Sequence, residues 1–332
     1  MTPLATPPLR SDGAARGACV RTDAESESYG LVCLRSSDAL EAAFAPQVGM
    51  TCCSLLHRDV ELIGERYGLG AFARGGVSMG MSLMHPWADR LSSWTYTACG
   101  TTVRLPISPL LHTDHWGLPV NGVHPSSDAW ILQQSGAGGG SAWLHAALPF
   151  DRPRQLEVFP FPHRLSLHAE VTGCSVYIYI EVEATGQAAV PVCFGYRVYL
   201  RREAGATIVL PARRRIVTDE RLLPTGATET VHMRASTVGV DELRELSSLG
   251  SDRRLTIASA SRRLTIEPLS GFPFAHVRTV AREPHVMVEA LTAPPDGLRH
   301  NQFPVASAGH PYRAALRLSV DELSWDRSRL TA

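Results

Sequence analysis

The sequence predicts an all-β protein, a large antiparallel β-sandwich with few short helices. Three observations carry that expectation. Short runs of β-branched and aromatic residues recur along the chain. Turn-forming residues, 23 Pro and 27 Gly, separate them throughout. Helical periodicity is scarce. Many short strands with turns between them favour a sandwich or barrel over an alternating α/β fold.

The elements follow in chain order. Residues 1–27 hold Pro, Arg, Asp and Ala with no apolar stretch, so they are not a secretion signal and read as a flexible leader. Tyr29 to Leu34 is the first apolar run. Ala43 to Leu56, with Gly49 inside it, reads as strand, bend, strand. Residues 135–142 are rich in Gly, Ala and Ser and read as a loose surface loop. Val176 to Val182 alternates aromatic and β-branched residues, a strand signal. Val190 to Leu200 and Thr207 to Leu210 are further strands. Val240 to Leu249 reads as a short helix with Asp241 near its start. Ala281 to Leu291 and Ala314 to Val320 close the series. No repeat and no linker divides the chain. One domain over 28–322 with a tail at 323–332 is the economical organisation.

Charge narrows the function. Basic and acidic residues balance, 32 against 32, and every basic residue is Arg. Electrostatics therefore give no ground for a nucleic-acid or anionic-membrane partner. No apolar run approaches the roughly 18 residues needed to span a bilayer. The seven Cys are irregularly spaced with no CxxC pair. They point to reduced thiols in a cytoplasm, not to a disulfide frame or a Cys zinc site. Cys52 and Cys53 suit a strand, one on each face. His112, His115 and His124 lie close in sequence, but Pro109 and Gly117 bracket the first two and argue against a shared helical face. No metal and no other cofactor is expected. Gly136 to Gly140 lacks the Lys-Ser/Thr of a phosphate loop.

Five segments, in order, resemble the aldose 1-epimerase (galactose mutarotase) family. Met84-His85-Pro86-Trp87-Ala88-Asp89-Arg90 looks like its aromatic-Pro-Trp-Ala-Asn-Arg segment, which gives Arg90 a role at sugar hydroxyls. Gly117-Leu118-Pro119-Val120-Asn121-Gly122-Val123, with Trp130 beyond, resembles Leu-Pro-Ile-His-Gly-Leu, so Asn121 stands in the first active-site His position. Pro191 to Tyr199 resembles Pro-x-x-x-Gly-x-His-Pro-Tyr and puts Arg197 in the second. Leu223-Pro224-Thr225-Gly226 and Val240-Asp241-Glu242 match a Pro-Thr-Gly turn and a sugar-binding Asp, here Asp241. Val286 to Pro294 resembles the strand that carries the catalytic Glu, here Glu289. The resemblance spans about Tyr29 to Val320. It implies a galactose mutarotase-like supersandwich with an open groove for a small polar molecule.

That family opens and recloses a hemiacetal ring, which needs a base at the anomeric hydroxyl and an acid at the ring oxygen. The resemblance makes Glu289 the base, helped if burial raises its pKa. Arg197 is a poor proton donor because it stays charged, and Asn121 does not titrate. His85 and His124, near these segments, are candidates to supply the acid. Trp87 is a candidate stacking surface. Arg90 can also pair with Asp89 or Asp241. Three readings stay open: an aldose 1-epimerase-like isomerase, a scaffold recruited for proton transfer on an anionic or non-sugar compound, and a non-catalytic carbohydrate binder. Each takes a small-molecule partner and works as a monomer or homodimer.

Overall fold

The computed structural model describes residues 18–22, 29–64, 67–75, 79–125, 130–237, 242–279 and 284–323. Two large antiparallel sheets share one hydrophobic core. The first, of 12 strands, runs in spatial order Cys19–Thr22, Val32–Arg35, Leu40–Ala45, Thr51–His57, Met81–Met84, Gly195–Arg201, His285–Leu291, Phe274–Thr279, Leu243–Leu249, Arg213–Thr218, Pro224–Val231, with Val60–Glu61 beside Thr51–His57. The second, of 9 strands, runs Ile131–Gly138, Ser141–Phe150, His163–Thr172, Ser175–Ala184, Tyr312–Glu322, Arg262–Ser270, Leu255–Ala258, Thr207–Leu210, Arg234–Thr237. The helices are short, Gly68–Ala73 and Pro153–Leu156. Among the described residues no helix is long and apolar enough to cross a membrane.

Alternation drives the sheets together. His163–Thr172 and Ser175–Ala184 bury every second side chain, so each offers one apolar face to the core and one to water. Gly49 sits in the left-handed region, φ 64°, after a 3-10 turn, and makes the bend between Leu40–Ala45 and Thr51–His57. Cys52 is buried and Cys53 half-buried on the second of these strands.

Four local expectations change. Val240 to Leu249 is not a helix: Leu243–Leu249 is a strand between Arg213–Thr218 and Phe274–Thr279. The leucine spacing imitates a helix because Glu245 occupies a core-facing position. Arg213 makes that tolerable, gripping both carboxylate oxygens of Glu245 from the neighbouring strand. Asp241 lies outside the described residues. Residues 135–142 are not a loose loop but the tip of a hairpin, with the turn at Gly139 and Gly140, both at positive φ. The stretch read as a leader contributes a strand, Cys19–Thr22, paired with Val32–Arg35. The run from Val190 breaks into Val190–Pro191 and Gly195–Arg201, because Pro191 removes a ladder donor.

Candidate functional site

One transverse row of the 12-stranded sheet carries the chemistry. Ser82, Arg197, Glu289, His276, Leu246 and Ile216 stand opposite one another on six adjacent strands. Because side chains alternate across a strand, the neighbouring row points the other way. That row holds Val198, Val288 and Val277, all buried. The valines fix the register by seating the sheet on the core. The polar row is then projected to the opposite face.

The 85–90 segment and the strand Pro119–Val123 pack against this row. Residues 85–90 bridge to Gly122, Cys193 and Val120. Gly195 permits the approach, since a Cβ there would lie 2.7 Å from the Ala88 side chain and 2.7 Å from Leu291. Gly122, at φ +68°, is required for a second reason: a Cβ would lie 2.1 Å from the His85 carbonyl oxygen. Asp89 and Asn121 both adopt positive φ, 55° and 60°, a conformation that Asp and Asn tolerate better than most residues. They lock each other. The Asn121 amide N–H donates to the Asp89 carbonyl at 2.7 Å, and the Asp89 N–H donates to Asn121 Oδ1 at 3.1 Å.

The result is a buried network. Arg197 Nε donates to Glu289 Oε1 at 2.7 Å, and its Nη2 lies 2.6 Å from the same oxygen. Nη2 also reaches Asn121 Oδ1 at 3.4 Å. His276 Nδ1 lies 3.1 Å from Glu289 Oε2 and 3.2 Å from Asp89 Oδ2. The first contact is a hydrogen bond. The second is an ionic approach, for Asp89 Oδ2 has no aligned donor among the described residues. Arg90 donates from Nε to Asp114 at 2.9 Å, approaches Asp89 at 3.3 Å, and sits 5.4 Å above the Trp116 ring.

Electrostatics separate the two titrating groups in the row. Burial alone would raise the Glu289 carboxyl. The charge of Arg197 and the hydrogen bond and charge of His276 override it and hold Glu289 well below the usual carboxylate range. Burial alone would lower His276; its contacts with Asp89 and Glu289 raise it to about 9. Near neutral pH the row therefore holds a carboxylate and an imidazolium in contact. Asp89, His276 and Glu289 are also the described residues whose ligand atoms could converge on one metal ion. Their charges are already matched inside the protein. Three anions (Asp89, Asp114, Glu289) meet three cations (Arg90, Arg197, His276). A guanidinium touching Glu289 also repels an added cation.

A cleft of about 210 Å³ opens on this network, lined by Asp89, His276, Arg244, Leu246, Thr218 and Pro295 among others. That is smaller than a drug-sized pocket of roughly 300–1,000 Å³ and suits a molecule about the size of one sugar ring. His276 uses Nδ1 within the protein and also lines the cleft.

The described residues named from sequence divide into two groups. Glu289, Arg197, Asn121 and Arg90 come together. Asn121 spends its carbonyl oxygen on Arg197 and on the Asp89 backbone. Trp87 and His85 do not join them. Trp87 is 1% exposed in the core against Tyr96, so it has no face free for stacking. His85 packs among Phe150, Phe159 and His163, bonded to His163 at 2.9 Å. Burial and His163 hold it neutral, so it cannot serve as the acid. His124 lies elsewhere too, its ring 4.7 Å from that of His112. His276 was the residue that sequence reasoning missed. It meets residue 289 only through the pairing of Phe274–Thr279 with His285–Leu291, for which the sequence carries no local motif.

No protein-family model matches the chain, and no curated protein does. Solved structures do. A galactose mutarotase-like protein from Clostridium acetobutylicum superposes with a TM-score of 0.82 at 14% identity, over 93% of this chain and 100% of that one. A galactose 1-epimerase from Lactobacillus acidophilus gives 0.74 at 11% identity, over 92% and 99%. An aldose epimerase homologue from C. elegans gives 0.69 at 13% identity, over 89% and 100%.

Proposed function

Starting from a chain with the galactose mutarotase-like fold, we propose that it is a proton-transfer isomerase of the aldose 1-epimerase type, acting on a small sugar-like molecule. Its acid is His276 and its base is Glu289. One observation carries this: a carboxylate and an imidazole in contact at 3.1 Å, with pKa values driven to opposite sides of neutrality beside a polar cleft. Groups whose surroundings push them apart in this way are suited to acid and base roles.

The roles follow from the contacts. His276 presents Nε2–H to the cleft and donates to a ring oxygen. Glu289 takes the anomeric hydroxyl proton as the ring C–O bond breaks and the carbonyl forms, and both protons return when the ring recloses. Arg197 keeps Glu289 anionic, which also makes it a weak base; rates are therefore modest relative to a base poised near pH 7. Asn121 and Asp89 are positioning residues, one holding Arg197 and the other holding His276. The absent histidines at positions 121 and 197 are thus compensated from a different strand. None of the seven cysteines is in a disulfide, and we place the activity in a reducing cytoplasm as part of this proposal.

The test is NMR exchange between the anomers of glucose and galactose. The wild type accelerates exchange, and Glu289→Gln and His276→Gln each reduce it by about 100- to 10,000-fold. Binding of either sugar with no acceleration by the wild type would instead make the chain a sugar-binding protein.

A further inference from the structure

Two residues along from His276 and Leu246, on the same face of the sheet, stand Arg278 and Arg244. They are directly opposite each other in the register. Like charges placed across a strand pair repel and destabilise the sheet. Among the described residues neither guanidinium has an ion pair or hydrogen bond, whereas Arg213, Arg215, Arg197 and Arg90 are all paired with carboxylates. Both are exposed, and Arg244 lines the cleft beside His276 and Asp89. Burial, and then the charges of Arg278 and Arg90, pull Arg244 below the usual arginine range; Asp89 and Glu242 oppose this more weakly. The proton-transfer network itself is neutral, so this rim gives the mouth of the cleft a net positive field.

We propose that the molecule bound here carries an anionic group, a carboxylate or a phosphate, gripped by Arg244 and Arg278 while its reacting centre lies at His276 and Glu289. The inference rests on the proton-transfer reading for the position of the reacting centre. Geometry sets the scale. A strand rises about 3.3 Å per residue, so the arginine pair stands roughly 7 Å along the sheet from the acid–base row. That distance lies within a single small molecule. Two forked guanidinium groups side by side match the planar oxygens of a carboxylate or the three oxygens of a phosphate. Bound there, the anion converts a repulsive pair into a bridged one.

Calorimetric titration with glucose, glucuronate and glucose 6-phosphate tests this, using the wild type, Arg244→Gln/Arg278→Gln and Glu289→Gln. At least one anionic probe binds the wild type about tenfold or more tightly than glucose, in keeping with charge-assisted hydrogen bonds. The sugar acid and the sugar phosphate separate the two possible anions. The double arginine variant loses that preference and Glu289→Gln keeps it. Each single arginine variant also melts at a higher temperature than the wild type without ligand, which a structural role would not produce. Equal binding of glucose and both anions, no binding of either anion at millimolar concentration, or a preference that survives the double variant overturns the inference. Anion preference without isomerisation of any probe, read by NMR exchange, leaves the anion site at Arg244 and Arg278 standing and removes the reacting centre at His276 and Glu289.

Discussion

Replacing His276 by Gln removes one charge from a buried network, and the consequence is readable as stability against pH. In the folded chain the imidazole is raised from 6.5 to about 9. The charged groups facing it are Asp89 and Glu289, with Arg197 behind the latter. A raised folded pKa means the folded state binds the proton more tightly than the unfolded state. The stabilisation is thus fully present below pH 6.5 and lost as pH rises through about 9. A shift from 6.5 to about 9 corresponds to roughly 3 kcal/mol. Integrated between pH 7 and pH 9, about 2 kcal/mol of it disappears. Urea unfolding at the two pH values measures the loss directly. Thiols and other groups titrating in the same range cancel when the variant is subtracted. Wild type loses about 2 kcal/mol more than His276→Gln over this window. Equal losses in the two proteins would refute the charged-imidazole assignment.

Further outcomes follow from other buried groups. Arg213→Met strands Glu245 in the core and costs about 3–5 kcal/mol in urea unfolding, while Arg213→Met with Glu245→Leu recovers most of it. Gly122→Ala, with a Cβ 2.1 Å from the His85 carbonyl, costs about 2 kcal/mol or more and lowers the melting temperature. His163, held at about 4 by burial against the opposing Phe161 hydrogen bond, favours folding while it stays neutral. Its contribution is complete above pH 6.5 and is lost as pH falls, by about 3 kcal/mol at pH 4. His163→Phe removes that part of the acid dependence in a pH series of unfolding curves. Its ring faces His85, Phe150 and Phe159, so no fixed charge competes. In activity, the alkaline limb of kcat/KM falls near pH 9, set by His276, and is absent from any residual activity of His276→Gln.

The strands were legible where alternation is clean. Val176 to Val182 and Thr207 to Leu210 announce themselves because their buried faces are uninterrupted. Leu243–Leu249 did not, because its core face carries Glu245, whose partner Arg213 is 32 residues away. The Gly-rich hairpin tip was misread for the opposite reason. Gly136 leaves room for the Trp143 ring, 2.9 Å from where its Cβ would be, so glycine there serves packing across a strand pair. In the site, Arg197 and Glu289 were visible through ordered local motifs. His276 lacks such a motif. Its role exists only once two strands pair in register, and residue type alone does not encode that pairing. Trp87 and His85 show the converse, since the motif that carries them also anchors the loop in the core.

The site depends on His276 being held as an imidazolium against the Glu289 carboxylate. NMR titration of protein labelled with nitrogen-15 in its histidines, assigned by comparison with His276→Gln, reads this state directly. One imidazole titrates near pH 9 and moves down when Glu289 becomes Gln. A value for His276 at or below 6.5, unaffected by that substitution, would contradict it.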